Sequence, residues 1–392
     1  MDVQKTCGNT TSNPMCDEEA SGPLAEIIIP SLLALSTVVV VALIFCSLLR
    51  NRITAPVSAP AHGQRSVSLS ADSKVCPEAQ EALQPWQLPA EYALEGLQFW
   101  QSGRYGPICN GRLKKEGTSQ AVVVKLLRDG PDQPEAKEFM EWVLFHATVC
   151  KHEKVVRMLY CQTQRRPMYM VLEACSPGNL LHFLWTLRNR DPDDEDLSRH
   201  FSEMSVFLVA KQAAAGLDYL MSEHRLVHGD VAARNILMGP GLSARVSGLC
   251  VAFAGRRAGS AARRRAAEAP LKWQAPERLL KQPAIDRSDV WSFGILLYEM
   301  ITLGSPPYPE LEPSSLLSYL QSSHRMARPE NCGGPLYDLM KYCWAWSFKD
   351  RPAFSAIVKL LESYMYLAAT NALRVPDAMD VFDYNKRAGL HP

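Results

Sequence analysis

The chain of 392 residues is 47% hydrophobic and 21% charged, so it is long enough and apolar enough to bury a large core. Its 42 basic and 41 acidic residues leave a net charge of +1, which argues against a nucleic-acid-binding protein or one that acts on acidic substrates. The 11 cysteines form neither a CxxC pair nor a Cys/His array, which argues against a zinc site and a dense disulfide framework.

The first element in chain order is an apolar run over residues 27–49, which begins with Ile27 and ends with Leu49. It contains no charged residue, and about 20 such residues cross the hydrocarbon core of a bilayer. A buried helix of a soluble protein would have a polar face, and a cleaved signal peptide would have a shorter apolar run nearer Met1. The sequence therefore predicts one retained transmembrane helix.

Charges on the two sides of this run predict its orientation. The residues that carry them are Asp17, Glu18, Glu19 and Glu26 before the run, and Arg50, Arg52, Arg65 and Lys74 after it. Basic residues mark the cytoplasmic side. We predict a short outside segment at 1–26, a juxtamembrane linker at 50–94, a cytoplasmic domain at 95–366 and a tail at 367–392, with the plasma membrane as the location.

Two segments early in this domain have the residues that a phosphate-binding site needs. The run QSGRYGPI begins at Gln101 and contains Gly103 and Gly106, where the lack of a Cβ lets the backbone approach a phosphate. The run AVVVK is rich in β-branched residues, which predicts a strand, and it ends at Lys125. These runs resemble the glycine-rich loop and the third strand of the protein-kinase family. The resemblance implies that Lys125 holds the α- and β-phosphates of ATP.

The resemblance extends over about 270 residues and implies a full set of nucleotide contacts. Leu172 stands at the gatekeeper position, before the hinge. The implied contacts are Gly103, Tyr105, Gly106, Ile108, Val123, Lys125, Leu172, Glu173, Ala174 and Cys175. The helix after Lys125 should supply a glutamate partner, but counting from both ends of that segment places this position at Trp142, one residue after Glu141. One residue turns a side chain by about 100°, so either the helix is locally reset or the ion pair is absent.

A catalytic loop is the next motif. The run HGDVAARN begins at His228 and resembles the catalytic loop of tyrosine-specific kinases. The resemblance implies that Asp230 accepts the proton of the substrate hydroxyl, that Arg234 acts beside it, and that Asn235 binds magnesium. Gly248 stands where the family has the aspartate of D-F-G, so the second expected magnesium ligand is missing. The loss of one electrostatic element of this kind costs about 10²–10³ in rate.

The activation segment departs from the family in a second way. Residues 248–277 contain no tyrosine, and Gly229 stands where the family has the arginine that receives a loop phosphotyrosine. We therefore expect no tyrosine-phosphorylation switch in this segment. Its arginines are Arg256, Arg257, Arg263, Arg264 and Arg265. A solvated loop, anionic headgroups and an acidic partner all remain open as explanations of this cluster.

Scaffold motifs, in contrast, are complete. Glu277 stands in an APE-like motif and is expected to pair with Arg351, while Asp289 is expected to brace the catalytic loop. The resemblance implies an α+β fold: a two-lobed protein-kinase fold with a small β-rich N-lobe and a larger helical C-lobe, behind one transmembrane helix.

Three functions follow from this resemblance. The first is a receptor-like pseudokinase or weakly active kinase that serves as a platform in growth signalling. The second is an active tyrosine kinase that uses ATP and magnesium. The third is a structural anchor that binds headgroups. The expected partners are the lipid bilayer and signalling proteins, in a homo- or heterodimer and without nucleic acid, and Tyr364, Tyr366 and Tyr384 would be docking sites after modification.

Overall fold

The computed structural model describes residues 77–189, 201–257, 269–375 and 377–390. The chain divides into two compact units, 1–71 and 72–392, and all the described residues belong to the second. The predicted transmembrane run at 27–49 and the outside segment at 1–26 lie outside the described residues. Within the described ranges, no helix combines the length and the apolar character that crossing a bilayer requires.

The domain consists of a strand-rich N-lobe followed by a helical C-lobe. The strands are β1 (Ala93–Ser102), β2 (Pro107–Lys115), β3 (Thr118–Leu126), β4 (Met158–Gln162), β5 (Tyr169–Glu173), β6 (Gly178–Asn179), β7 (Ile236–Gly239) and β8 (Ser243–Val246). The helices are α1 (Pro77–Ala82), α2 (Gln133–Val149), α3 (Leu180–Arg188), α4 (Glu203–His224), α5 (Cys250–Arg257), α6 (Pro276–Leu279), α7 (Asp286–Ile301), α8 (Leu316–Gln321), α9 (Gly334–Cys343), α10 (Phe354–Tyr364) and α11 (Val381–Ala388). This order agrees with the predicted two-lobed fold.

The N-lobe sheet is antiparallel, with strand order β1-β2-β3-β5-β4. The β2–β3 hairpin closes through Glu116 and Gly117, whose φ angles are 36° and 80°. Positive φ at both positions gives the twist that a two-residue hairpin needs, and glycine adopts it without strain. A second, three-stranded sheet has the order β6-β7-β8, and its strand β7 begins directly after the catalytic loop.

Alternation along β3 separates core residues from site residues. Val122 and Val124 are buried in a small cluster with Leu113 and Val171. Successive side chains of a strand point to opposite faces, so Val123 and Lys125 lie on the other face. In the C-lobe, α7 is buried along nearly its whole length, and it forms the centre around which the other helices pack.

Residues on both sides of the predicted domain at 95–366 contact it in the part of the chain that the structure describes. Within the predicted linker at 50–94, Leu83 is fully buried and Gln87 Nε2 donates to Thr163 Oγ1 at 2.8 Å. Within the predicted tail at 367–392, the N–H of Leu373 donates to the carbonyl of Phe201 at 2.8 Å. Both segments are buried against distant parts of the chain, and local sequence pattern does not identify such partners.

Candidate active site

The glycine-containing loop is fixed by its own backbone. The N–H of Gly103 donates to the carbonyl of Gly106 at 2.8 Å, and the N–H of Arg128 donates to the carbonyl of Tyr105 at 2.8 Å. A Cβ on Gly106 would lie 2.6 Å from the nitrogen of Arg128, so only glycine permits this approach. The loop is therefore held against the connection between β3 and α2.

Tyr105 lies against α2. Its hydroxyl donates to Glu138 Oε1 at 2.8 Å, and its ring makes an edge-to-face contact with Phe139 at 5.7 Å. The residue is 8% exposed. Sequence resemblance assigned Tyr105 to the nucleotide contacts, but in this structure its side chain serves the contact between the loop and α2. The difference arises because α2 offers both an apolar ring and a carboxylate at this point.

Lys125 lies where the resemblance places it, beside the glycine-containing loop, because the β2–β3 register pairs it with Ile108. In the described part of the chain, no carboxylate lies within ion-pair distance of its ammonium. Burial lowers the pKa of Lys125 because the charged form loses hydration. The charge of Lys125 also contributes, after burial, to lowering the pKa of the neighbouring His146 to about 3. Lys125 therefore has no neutralising carboxylate among the described residues.

The expected glutamate partner of Lys125 is replaced by an aromatic cluster. Trp142 is 3% exposed, and its ring lies 4.9 Å from that of Phe253 in α5 and 5.7 Å from that of Phe145. Glu141, the alternative considered from the sequence, accepts from Arg257 Nε at 2.5 Å instead. Of the two possibilities left open, the described residues show that the ion pair is absent, because α2 continues regularly and turns Trp142 inward.

Arg257 joins the start of the activation segment to α2. Its guanidinium contacts the carboxylates of Glu138 and Glu141, one turn apart on the helix. Burial opposes ionisation of Glu138, but the Tyr105 hydroxyl and the guanidinium groups of Arg257 and Arg104 lower its pKa below the ordinary value. The sequence showed Arg257 only as one member of a basic cluster, since its partners are more than a hundred residues away.

The catalytic loop brings three predicted residues together. Asp230 accepts from Arg234 Nη2 with one carboxylate oxygen and from Asn235 Nδ2 with the other, the latter at 2.7 Å. Asn235 Nδ2 also donates to the backbone carbonyl of Asp230 at 2.8 Å. Both carboxylate oxygens of the proposed proton acceptor are therefore occupied by groups of its own loop.

Gly248 contacts this loop closely. Its φ is +76°, and a Cβ built on it would lie 2.2 Å from Asn235 Oδ1. The next residue, Leu249, is 2% exposed and packs in the core. The missing aspartate is thus accompanied by a backbone conformation and a neighbour that leave no room for any side chain at position 248.

Gly229 and Asp289 form the brace under the catalytic loop. The N–H groups of His228 and Gly229 donate to the two carboxylate oxygens of Asp289 at 2.6 and 2.8 Å. Burial nevertheless raises the pKa of Asp289 to about 6. A Cβ on Gly229, whose φ is +78°, would lie 2.6 Å from Val251 Cγ1. A cavity of about 40 Å³ lies beside Gly229, where the family's arginine is missing.

The buried ion pair of the C-lobe is formed as the sequence predicts. Arg351 donates to both oxygens of Glu277 at 2.8 and 2.9 Å, and its side chain is fully buried. Ser288 Oγ adds a third hydrogen bond to Glu277 at 2.7 Å. The pair holds the end of the activation segment against α7.

Glu299 is a site residue that sequence reasoning missed. It is fully buried in α7, and its Oε2 accepts from the Ala233 N–H at 2.9 Å and from Trp273 Nε1 at 3.1 Å. Burial raises its pKa to about 7, although the charge of Arg234 and these hydrogen bonds oppose the shift. A glutamate in the mostly apolar second half of α7 was the available signal, since a buried carboxylate needs partners.

This chain resembles known protein kinases over most of its length. A family model described as protein tyrosine and serine/threonine kinase matches residues 96–361. The chain belongs to this kinase family. Tyrosine-protein kinase STYK1 of Homo sapiens is 40% identical over 312 residues, which cover 79% of this chain and 73% of that protein. The STYK1 protein of Mus musculus is 40% identical over 307 residues, covering 78% and 71%. The tyrosine-protein kinase receptor torso of Bombyx mori is 30% identical over 305 residues, covering 69% and 37%.

Members of this family use ATP together with magnesium. The residues of this chain fit ATP better than they fit magnesium. Ala174 and Cys175 follow β5 outside the strand ladder, so their backbone is placed as a hinge that could receive adenine. For magnesium, Asn235 Oδ1 faces Gly248 and Asp230 is engaged by Arg234 and Asn235. In the described ranges, no three His, Cys, Asp or Glu side chains form a metal-binding group. The donor set of this conformation does not fit a magnesium ion.

Proposed function

We propose that this member of the tyrosine-kinase family is a membrane-anchored, receptor-like signalling platform whose kinase domain is a pseudokinase or a weakly active kinase. The observation that carries the proposal is the contact between Gly248 and Asn235, which removes one metal ligand and closes the space where it would stand. Phosphoryl transfer depends on charge neutralisation at this place. A domain with a complete scaffold and an incomplete metal site is suited to binding more than to catalysis.

The state of Lys125 supports the same proposal. A lysine that orients phosphates needs a carboxylate to hold it, and Trp142 stands where that carboxylate belongs. Glu138 and Glu141 are engaged by Arg257. Two independent elements of phosphate chemistry, the metal ligand and the lysine's partner, are therefore altered in one site.

An active tyrosine kinase is the second candidate, and one observation favours it. The catalytic loop holds Asp230 beside Arg234 and Asn235. In this candidate function Asp230 is the proton acceptor, Arg234 is its charged neighbour and Asn235 supplies an amide group. These residues could support slow transfer of the γ-phosphoryl group from ATP to a protein tyrosine.

Transfer assays on the purified chain separate the two candidates. The chain is incubated with ATP, magnesium and a tyrosine-containing peptide beside the Asp230→Asn variant and beside a domain with an intact D-F-G motif. If the chain is a signalling platform, its transfer rate should be at least 10²-fold lower than that of the intact domain. The chain and its Asp230→Asn variant should then have the same rate. A rate that Asp230→Asn abolishes would establish the enzyme instead.

Nucleotide binding is measured separately by the shift of the unfolding temperature. Saturation of a site at 100 times the dissociation constant stabilises a protein by about 2.7 kcal/mol. We expect ATP to give the same shift with magnesium and with a chelator, because no metal ligand pair is present, and Lys125→Met to remove it. A shift that requires magnesium would contradict the proposed loss of the metal site.

Membrane anchoring rests on residues 27–49 and on the charges that flank them. Extraction of the full chain from membranes at high pH, compared with a chain that lacks 27–49, tests it. The full chain should stay with the membrane and the shortened chain should be released. Release of both would contradict a transmembrane anchor and leave the proposal for the kinase domain unaffected.

A further inference from the structure

The C-terminal helix α11 packs on the C-lobe instead of extending from it. Asp380 caps its first turn by accepting from the N–H of Asp383 at 2.9 Å, and Gly389 ends it with a φ of +69°. Isolated helices of this length are unstable in water. The order of α11 therefore depends on the surface against which it packs.

One tyrosine anchors this helix. Tyr384 is 1% exposed, its ring lies 4.8 Å edge-to-face from Trp185 of α3, and its hydroxyl donates to Glu299 Oε1 at 3.3 Å. The other oxygen of Glu299 receives the N–H of Ala233. The sequence predicts Tyr384 as a docking site after modification, and in the unmodified state its side chain is enclosed. A single carboxylate joins the tail to the loop that carries Asp230.

Further groups of the C-lobe receive the tail on either side of Tyr384. Lys272 is 2% exposed, and its ammonium donates to the backbone carbonyl of Arg387 at 2.5 Å. Asn189 makes two hydrogen bonds with the backbone of Met379, each of 3.0 Å. Arg188 Nε donates to the carbonyl of Asp377 at 2.5 Å. These donors and acceptors recognise backbone groups of an incoming segment, which is how a peptide-binding surface works.

The surface that receives α11 lies next to the catalytic loop. Trp273, which donates to Glu299, also stacks under the guanidinium of Arg234 at 4.6 Å. The helix α11 therefore covers a surface that is continuous with the catalytic loop. We infer that the surface of Trp185, Lys272 and Glu299 is a docking site for a tyrosine-bearing helix, that α11 is its resident occupant, and that phosphorylation of Tyr384 during transient undocking prevents the return of the helix.

The chemistry of release is a simple transfer. A protein-tyrosine kinase moves the γ-phosphoryl group of a nucleoside triphosphate to the Tyr384 oxygen; the bond to the nucleoside diphosphate breaks and the hydroxyl proton leaves to solvent. The phosphate adds about two negative charges. In the docked state these would face the carboxylate of Glu299 in a space that holds only a hydroxyl. Burial and Glu299 already raise the pKa of Tyr384 well above its ordinary value, which shows how strongly the site opposes negative charge on this oxygen.

Exposed features of α11 agree with an exchangeable occupant. Val381 is 55% exposed and Phe382 is 77% exposed, so the outer face of the helix has little contact with the rest of the domain. The outer ion pair of Arg387 with Glu310, at 3.0 Å, is solvent-exposed and contributes little. Attachment relies on the buried tyrosine and on a few backbone hydrogen bonds. Negative charge added at the tyrosine can therefore keep the helix detached.

Hydrogen exchange on the full chain tests this inference. Tyr384→Glu should increase exchange of the amides of 381–388 at least 10-fold, while the amides of α7 stay protected. The matched control is Tyr366→Glu, because Tyr366 is a tail tyrosine that is 79% exposed. It should leave α11 unchanged. Protection of α11 in Tyr384→Glu equal to that of the natural chain would overturn the inference.

A synthetic peptide of residues 377–390 tests the docking site directly. Added to the Tyr384→Glu chain, the unphosphorylated peptide should restore protection at 271–274, and the peptide phosphorylated on Tyr384 should not. Equal binding of both peptides, or of neither, contradicts the proposal. If Tyr384→Glu also exposes α7, the Asn189→Ala variant decides, since it removes both hydrogen bonds with the backbone of Met379 and leaves the buried tyrosine in place. Exchange raised in α11 alone supports the proposal, and unchanged exchange overturns it.

Discussion

The carboxamide oxygen of Asn235 occupies the space that a side chain on Gly248 would need, because a Cβ at that position would lie only 2.2 Å away. Asn235 is held there by its two hydrogen bonds to Asp230. The missing aspartate is therefore part of a packed arrangement, and the arrangement cannot be reversed by a single substitution.

Gly248→Ala should destabilise the domain by about 2–4 kcal/mol, from left-handed backbone strain plus the clash with Asn235. Gly241 is the matched control, because it also has a left-handed φ, of +62°, but no atom within 4 Å of a built Cβ. Gly241→Ala should cost about 1 kcal/mol. Denaturant unfolding of both variants measures the difference. Equal losses would show that Asn235 moves aside freely, and in that case Gly248→Asp could restore a metal site.

Arg257→Ala should loosen the start of the activation segment. Its ion pairs with Glu138 and Glu141 are partly exposed, so global stability should change by less than about 1 kcal/mol. Exchange of the amides of α5 should nevertheless rise several-fold, because the helix loses its tie to α2. The neighbouring Arg256→Ala is the control, since Arg256 lies over the ring of Phe145 at 6.0 Å and has no carboxylate partner in the described residues. The same rise in both variants would contradict a specific role for Arg257.

Glu299 should make stability depend on pH. Its pKa is raised to about 7 in the folded chain, so its contribution is complete below the unfolded value of about 4.3 and is lost as the pH rises through 7. Between pH 6 and pH 7 the natural chain should lose about 1 kcal/mol more than Glu299→Gln. Asp289, with a pKa raised to about 6, adds most of its own loss below this interval.

Unfolding midpoints at pH 6 and pH 7 measure the effect of Glu299. Glu362→Gln is the control, because Glu362 is an exposed carboxylate on α10 that pairs with Lys211. The control should follow the natural chain. A Glu299→Gln chain with an unchanged pH slope would show that this carboxylate does not titrate in the interval.

Arg351→Lys should cost about 3–5 kcal/mol, because a buried Glu277 would lose its bidentate partner. Arg351 also donates from Nε to the carbonyl of Ala345 at 2.9 Å, a bond that an ammonium at this depth cannot replace together with the others. Lys211→Ala, at the exposed pair with Glu362, should cost no more than about 1 kcal/mol. Thermal unfolding compares the two. Equal losses would mean that burial adds nothing to the value of the pair.

The sequence predicted those parts of the site that depend on local pattern. The β-branched run AVVVK predicted the strand that ends near Lys125, and the HGDVAARN run, by its resemblance to a catalytic loop, singled out Asp230, Arg234 and Asn235, which the structure brings together. Counting along α2 raised the correct doubt about the partner of Lys125, because helical geometry fixes direction to within one residue.

The parts that the sequence did not predict depend on contacts between distant segments. Arg257 meets Glu138 only when α5 folds against α2, and Tyr384 meets Glu299 only when the tail returns to the C-lobe. Tyr105 is a similar case, because its hydroxyl donates to Glu138, which lies in a different element, α2. Hydrophobic periodicity can indicate that a segment has a buried face, but it does not identify the distant residue that the face contacts.

Glu299 shares its two oxygens between Tyr384 and Ala233, and this has a quantitative consequence. The tail is tethered to the domain, so α11 faces its site at an effective concentration of about millimolar. A separate helix that competes for the site must exceed that value unless α11 has first been detached. By linkage, any factor by which the docked tail changes the affinity of the catalytic loop for a ligand is the same factor by which that ligand changes docking of the tail.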